Sequence, residues 1–263
     1  MIRLSACIEM MFREYSFAER PAAAKAAGLD AIEFWNWANK DIGELAGAVS
    51  AAGVAVAACS IGTKDAKRAE AIKNYGLLDK RNAKIFAENV QETIEAVRSL
   101  GIPTFITTSG QELTDVPRGD QHDAIIEALK AAAPIAEKAG VTIVLEPLNI
   151  LVNHKGNYLA SSHEAAEILN AVGSPRVKML FDIYHQQITE GNIIANLTAY
   201  MPLIGHIHTA DNPGRHEFGT GEINYKSVFK AIEAAGYTGY TGLEYSPTAA
   251  SGRSLAGVYE ALG

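Results

Sequence analysis

A (β/α)8 TIM barrel is the fold class that this sequence predicts. Three observations predict it: strand-like apolar runs alternate with helical segments from end to end, glycines punctuate the helix ends, and no linker or composition break divides the chain. Eight such strands and eight helices fit within 263 residues, so residues 1–263 are read as one domain. The first strand covers residues 2–8. Ser16-Phe-Ala-Glu19 has the capping-box pattern that opens an Ala-rich helix, and Gly28 ends it. Residues 31–35 form a second strand, residues 42–52 a helix stopped at Gly53, and residues 54–60 a third strand. A longer helix over about 78–100, ended by Gly101, precedes a strand at 103–108, and a helix over about 120–139 ends at Gly140. Strands at 141–146, 177–182, 203–208 and 240–244 follow, separated by helices near 161–172, 192–200 and 224–235, with a last helix near 251–262. The structural rival is a doubly wound open sheet. Such a sheet places a Gly-rich phosphate turn after its first strand, whereas residues 9–16 contain no glycine.

Composition narrows the function classes. With 48% hydrophobic and 20% charged residues the chain is ordinarily globular, and the net charge of -7 comes without a Lys or Arg stripe. A nucleic-acid partner therefore has no electrostatic footprint, and the expected partner is a small molecule. Glu9 and Arg13 interrupt any long apolar run at the start, so neither a secretory signal nor a membrane span is expected, and the reading is cytoplasmic. Cys7 and Cys59 are too far apart for a CxxC motif and are expected as reduced thiols on strands.

The chemistry gathers at four strand ends. Side chains alternate along a strand, so His206 and His208 share one face, with Ile204 expected in the layer below. By the same parity Glu146 points inward with Val144 and Thr142, while Leu145 and Ile143 face the helices. Strands five to eight end at Glu146, Asp182, His208 and Glu244, on the face where such barrels keep their active sites. Three converging carboxylates repel, by roughly 4 kcal/mol for a pair about 4 Å apart at an effective dielectric of about 20. A divalent cation offsets that repulsion, and three carboxylates with one imidazole suit Mn2+, Mg2+ or Co2+, with Zn2+ as a further option. Protonation of one acid is the metal-free alternative.

Neighbouring residues supply further candidates. His185 follows Asp182 by three residues and can lean back over the mouth toward a substrate oxygen, and the Arg215 guanidinium matches a carboxylate bidentately. Phe12, Trp35 and Trp37 are read as an apolar wall excluding water. Glu33 and Glu217 are weaker acidic candidates, and Gly219-Thr-Gly221 is a weak phosphate-loop signal.

Residues 181–191, 205–217 and 219–225, together with Leu145-Glu-Pro-Leu-Asn149 and Gly242-Leu-Glu-Tyr245, resemble the hydroxypyruvate isomerase family of the xylose isomerase-like TIM-barrel group. The resemblance implies that Glu146, Asp182, His208 and Glu244 bind one metal, that Glu146 and Glu244 also move protons, and that His185 and Arg215 contact substrate. It also brings the expectation of a homo-oligomer, a dimer or tetramer. Two positions depart from the pattern. His208 stands where hydroxypyruvate isomerases commonly carry Gln and ketose 3-epimerases carry His, and Val152 stands where those epimerases tend to carry an acid. The expected reaction is an aldose-ketose type isomerisation, hydroxypyruvate to tartronate semialdehyde or a related 2-oxo sugar acid, by proton transfer through a cis-enediolate between two glutamates. A ketose 3-epimerase of the tagatose or psicose type is the alternative within the class. An abasic-site endonuclease-like hydrolase and a non-catalytic sugar-binding barrel are the alternatives outside it. The hydrolase would need a larger histidine cluster and a basic face.

Overall fold

In the computed structural model, which describes residues 2–263, eight parallel strands close into a barrel in sequence order. They are β1 (Arg3–Cys7), β2 (Ala31–Phe34), β3 (Ala55–Ser60), β4 (Thr104–Thr108), β5 (Thr142–Glu146), β6 (Val177–Asp182), β7 (Ile204–Thr209) and β8 (Tyr240–Leu243). Pairing of β8 with β1, from Arg3 opposite Tyr240 to Ala6 opposite Leu243, closes the ring, so no sheet edge is left unpaired. The predicted barrel is the observed one.

Helix boundaries follow their capping residues. Asp41 opens Ile42–Ala52 by accepting the Glu44 N–H, and Gly53 ends that helix in the left-handed conformation that a residue without Cβ adopts cheaply. Ser161 and Asn224 cap Ser162–Val172 and Tyr225–Ala234 in the same way. Four differences from the expected elements have local causes. The helix Ala66–Tyr75 was not expected, because it buries no residue and so shows no apolar stripe; the Asp65 cap that accepts the Lys67 and Arg68 N–H groups was its readable signal. The long helix expected at 78–100 is Asn82–Ala96, followed by a 3-10 turn at Arg98–Leu100. A short helix, Ile183–Thr189, starts directly on the end of β6, with Asp182 as its cap. The terminal helix is split into Ser251–Ser254 and Ala256–Leu262. Among the described residues no helix is long and apolar enough to cross a membrane. Cys7 and Cys59 are free and buried on β1 and β3.

The barrel interior has two unlike halves. Ala58, Ile106, Val144 and Leu180, from β3 to β6, form a small apolar cluster of their own inside it. From β1, β2 and β7 come instead Ser5, Glu33 and His206, all buried. Ile143 and Leu145 belong to the large core shared with the helices, as strand parity requires. Ile204 does not follow the expected parity. The β6–β7 register runs from Met179 opposite Ile204 to Leu180 opposite His206, so β7 carries one extra residue, Gly205. That insertion turns Ile204 outward to the helix-side core while His206 and His208 stay inward.

The insertion needs a glycine. A Cβ at Gly205 would stand 2.7 Å from Lys178 Cβ, the root of that side chain, and 2.9 Å from Val144 Cγ1, a methyl on a fully buried, stiff β-branched residue. Gly205→Ala should therefore cost about 1–3 kcal/mol through overpacking. Gly47→Ala, on an exposed helical site with nothing within 4 Å, should instead gain about 0.5–1 kcal/mol. Opposite shifts in thermal midpoint for the two variants are the expected result.

Candidate metal centre and active site

Four consecutive strands deliver four buried polar side chains to the C-terminal mouth. Glu146 and Asp182 are the last residues of β5 and β6, His208 is the penultimate residue of β7, and Glu244 follows β8 directly. Each offers one ligand atom, and these atoms all lie within 4.8 Å of one another. His208 Nδ1 lies 3.3 Å from Glu244 Oε2 and 4.0 Å from Glu146 Oε1, and it has no hydrogen-bond partner among the described residues. Burial and then the Glu244 charge push the Glu146 carboxyl up to about 8. The protein cations nearby therefore leave the Glu146 charge incompletely compensated. An unpartnered buried imidazole nitrogen facing crowded carboxylates is the environment a divalent cation fits, so the residues present suit the expected group.

Protein cations compensate part of the charge. Arg215 Nη2 donates a short hydrogen bond to Glu244 Oε2 and lies 3.7 Å from Asp182 Oδ2. Burial pushes the Glu244 carboxyl up, but the His208 and Arg215 charges override it and hold it well below the usual carboxylate range. Trp35 Nε1 donates to the other oxygen, Glu244 Oε1, at 2.8 Å. Asp182 divides its two oxygens: Oδ1 accepts the His185 N–H at 3.1 Å as the helix cap, and Oδ2 faces His185 Nε2 at 3.5 Å. The His185 imidazole is fully buried, and burial pulls it down to about 4, so it is neutral at pH 7. Asn149 presents two donors to its Nδ1, the side-chain Nδ2 at 2.6 Å and the backbone N–H at 3.4 Å. Nδ1 therefore accepts and Nε2 carries the proton, aimed between Asp182 and Glu146 Oε1 at 4.0 Å.

Above these groups lies a cavity of about 320 Å3, lined by Glu146, His185, His208, Arg215 and Glu244 at its polar end. Ile61, Ile72, Ile106 and Leu148 supply apolar wall, while Trp35, Ser60, Thr107, Thr108 and His154 complete the lining. A larger hollow of about 600 Å3, near Ile204, Gly205 and Tyr237, contains neither carboxylate nor imidazole.

The structure gathers Glu146, Asp182, His208, Glu244, His185, Arg215 and Trp35, and it moves the other candidates elsewhere. Phe12 and Trp37 do not form the expected wall. Both are buried in the core between sheet and helices, where the Phe12 N–H donates to Ser251 Oγ and Trp37 Nε1 donates to Thr93 Oγ1 at 3.0 Å. Their bulk is satisfied by the helices before it reaches the mouth. Glu217 is held by Thr248 and does not line the cavity. The Gly219-Thr-Gly221 loop is not a phosphate cradle, because its Gly219 and Gly221 N–H groups already donate to Asp211 Oδ2 at 2.8 and 2.9 Å. Sequence reasoning missed Asn149 and His154. The legible signal for Asn149 was its place in the Glu146-Pro-Leu-Asn149 run, three residues beyond a strand-end acid.

Asp211 organises the loop that carries Arg215. Its Oδ1 also accepts the Asn212 and Ile223 N–H groups at 2.9 and 3.1 Å, so one fully buried carboxylate closes the whole excursion. Arg215 sits in the left-handed region at φ 59, which costs a non-glycine residue about 1–2 kcal/mol. Two backbone hydrogen bonds hold it there, Arg215 N–H to Asp211 O at 3.1 Å and Ser246 N–H to Arg215 O at 3.0 Å.

A family model for the xylose isomerase-like TIM barrel matches residues 21–261. Hydroxypyruvate isomerase of Escherichia coli (strain K12) is 31% identical over 247 residues, which cover 94% of this chain and 94% of that protein. 2-Oxo-tetronate isomerase of Cupriavidus necator is 32% identical over 263 residues, covering 100% of both. Among solved structures, an AP endonuclease, family 2, from Brucella melitensis superposes with a TM-score of 0.90 at 26% identity, covering 99% of each chain.

Asp211→Ala should orphan four backbone donors and cost about 2–4 kcal/mol. Urea unfolding measures that loss, and limited proteolysis should show faster cleavage within residues 212–222; unchanged cleavage would mean that the loop holds its shape by other contacts.

Proposed function

The chain belongs to the xylose isomerase-like TIM barrel family, alongside the hydroxypyruvate isomerases, and on that premise we propose that it is a metal-dependent isomerase of short 2-oxo sugar acids. Its full-length relatives are isomerases named for hydroxypyruvate and for 2-oxo-tetronate. The observation that carries the reading is the placement of Glu146 and Glu244 on β5 and the end of β8, both in the wall of one cavity and both beside the ligand set. A divalent cation held by Glu146, Asp182, His208 and Glu244 would act as a Lewis acid toward adjacent carbonyl and hydroxyl oxygens. One glutamate takes the proton from the carbon next to the carbonyl, and the other supplies a proton to the neighbouring carbon. His185 Nε2–H donates to a substrate oxygen, its orientation held by Asn149. Arg215 is the only formally cationic side chain besides histidine in the lining, so it is the group that meets a substrate carboxylate. About 320 Å3 is at the small end of ligand cavities and accommodates a compound of three to six carbons. The four apolar side chains limit water at the reacting carbons.

A ketose 3-epimerase is the second reading, and His208 is the observation on its side. Against it, Val152, where those epimerases place an acid, is 66% exposed and outside the cavity lining. Proton exchange between the two glutamates serves both reactions. They differ only in the carbon to which the proton returns.

Incubation of metal-loaded protein with hydroxypyruvate, 2-oxo-tetronate and C6 ketoses in deuterated water distinguishes them. The expected result is deuterium at the carbon next to the new carbonyl of a C3 or C4 acid, with no turnover of fructose or tagatose. Glu146→Gln and Glu244→Gln should each lower kcat by about 10²–10⁴-fold with the far-UV spectrum unchanged. A chelator should abolish activity and Mn2+ restore it. Full activity in the chelated protein would remove the metal from the proposal, and ketose turnover alone would transfer the assignment to the epimerase.

A further inference from the structure

Glu33 lies outside the cavity and has no part in the chemistry above, yet it is 2% exposed in the middle of the barrel. It pairs in register with Ala58 of the inner apolar cluster, which places its side chain inside the ring. There it meets groups from two other strands. Ser5 Oγ donates to Oε2 at 3.1 Å, His206 Nε2 lies 2.9 Å from Oε2, and His208 Nε2 lies 3.0 Å from Oε1. Neither His208 Nε2 nor Glu33 Oε1 makes a hydrogen bond to any described residue, so their 3.0 Å contact is a charge-to-ring approach rather than an aligned hydrogen bond. The neighbouring strand leaves space for this contact. A Cβ at Gly242 would stand 2.3 Å from Glu33 Oε1 and 2.8 Å from His208 Cδ2.

The arrangement decides which face of the His208 ring is free. A carboxylate oxygen 3.0 Å from Nε2 repels a lone pair there and attracts an N–H, so the proton belongs on Nε2. A charged His208 ring has no lone pair, so a cation would have to displace one of its protons, and with Glu33 beside Nε2 the nitrogen freed is Nδ1, the atom that faces Glu244 and Glu146. Metal-bound imidazoles are commonly oriented by a carboxylate on their other nitrogen. We infer that Glu33 is a positioning residue, buried beneath the site, that fixes the Nε2–H form and the orientation of His208 and so delivers Nδ1 to a divalent cation shared with Glu146, Asp182 and Glu244. His206 and Ser5 hold the Glu33 carboxylate in turn. The inference rests on the metal reading above. It adds a residue from the opposite side of the barrel, on β2, to the four at the ends of β5 to β8.

Mn2+ binding to chelator-treated protein, followed by electron paramagnetic resonance, tests it apart from catalysis. Relative to the wild type, Glu33→Gln should weaken Mn2+ by about 10–100-fold. Gly242→Ala, which crowds the same contact without removing the charge, should weaken it in the same direction. Affinity in Glu33→Gln within about threefold of wild type, with binding retained in the wild type, overturns the role of Glu33 and leaves the metal reading standing. A wild type that binds no Mn2+ overturns both. Should the variants fail to fold, 15N NMR of the wild type loaded with Zn2+ as a diamagnetic probe decides the point. The expected spectrum has His208 Nδ1 ligated and Nε2 protonated; the reverse assignment, or an ion seated among Glu33, His206 and His208 instead, overturns the inference.

Discussion

Carboxylates forced together out of water are the constraint on which the rest of this barrel depends. Glu146, Asp182 and Glu244 are all buried at one mouth, and a protein places such groups together only with positive charge or protons among them. Arg215 and the nearby imidazoles answer part of that demand from the protein itself. The remainder leaves a cluster of ligand atoms that could hold a small, hard cation. The demand also explains why the surroundings are stiff. Trp35 holds one oxygen of Glu244 and Arg215 the other, Asp182 is committed to a helix cap, and Asn149 locks His185. Groups that must neither drift apart nor collapse onto one another are each tied by a second contact.

Much of this was legible in the chain, because the fold uses simple periodicities at the places where it keeps its chemistry. Polar residues at strand ends pointed to four side chains that the structure brings within 4.8 Å of one another, and alternation put Val144 inside and Leu145 outside. Alternation failed at Ile204, where one inserted glycine resets the count; the lone Gly205 inside the strand was the only readable sign of that bulge. It left Glu33 only a weak acidic candidate. An acid in the middle of an apolar strand is unremarkable until three-dimensional closure brings β2 opposite β7. Phe12 and Trp37 misled for a related reason: aromatic residues just beyond a strand end serve the mouth or the helix layer equally well, and sequence distance does not separate the two. The helix Ala66–Tyr75 escaped because it buries no residue.

The loop after β7 shows how a fixed framework and a variable specificity are joined. Asp211 spends its carboxylate on backbone donors, and the result is a guanidinium held against Glu244 and Asp182 despite an unfavourable backbone angle at Arg215. The strand ends supply the carboxylates of the mouth, while Arg215 and His154 line the same cavity from loops, so framework and lining come from different parts of the chain.

The two tryptophans differ sharply in setting, and only one of them touches the chemistry. Trp37 is sealed in the core at 2% exposure, whereas Trp35 is 42% exposed with its indole N–H on Glu244. A sealed indole emits to the blue of a solvent-exposed one, so the burial of Trp37 and the exposure of Trp35 set the two apart optically as well as chemically. One indole is thus tied to a carboxylate of the mouth and the other to the core, and a change in the surroundings of Glu244 reaches the first without reaching the second.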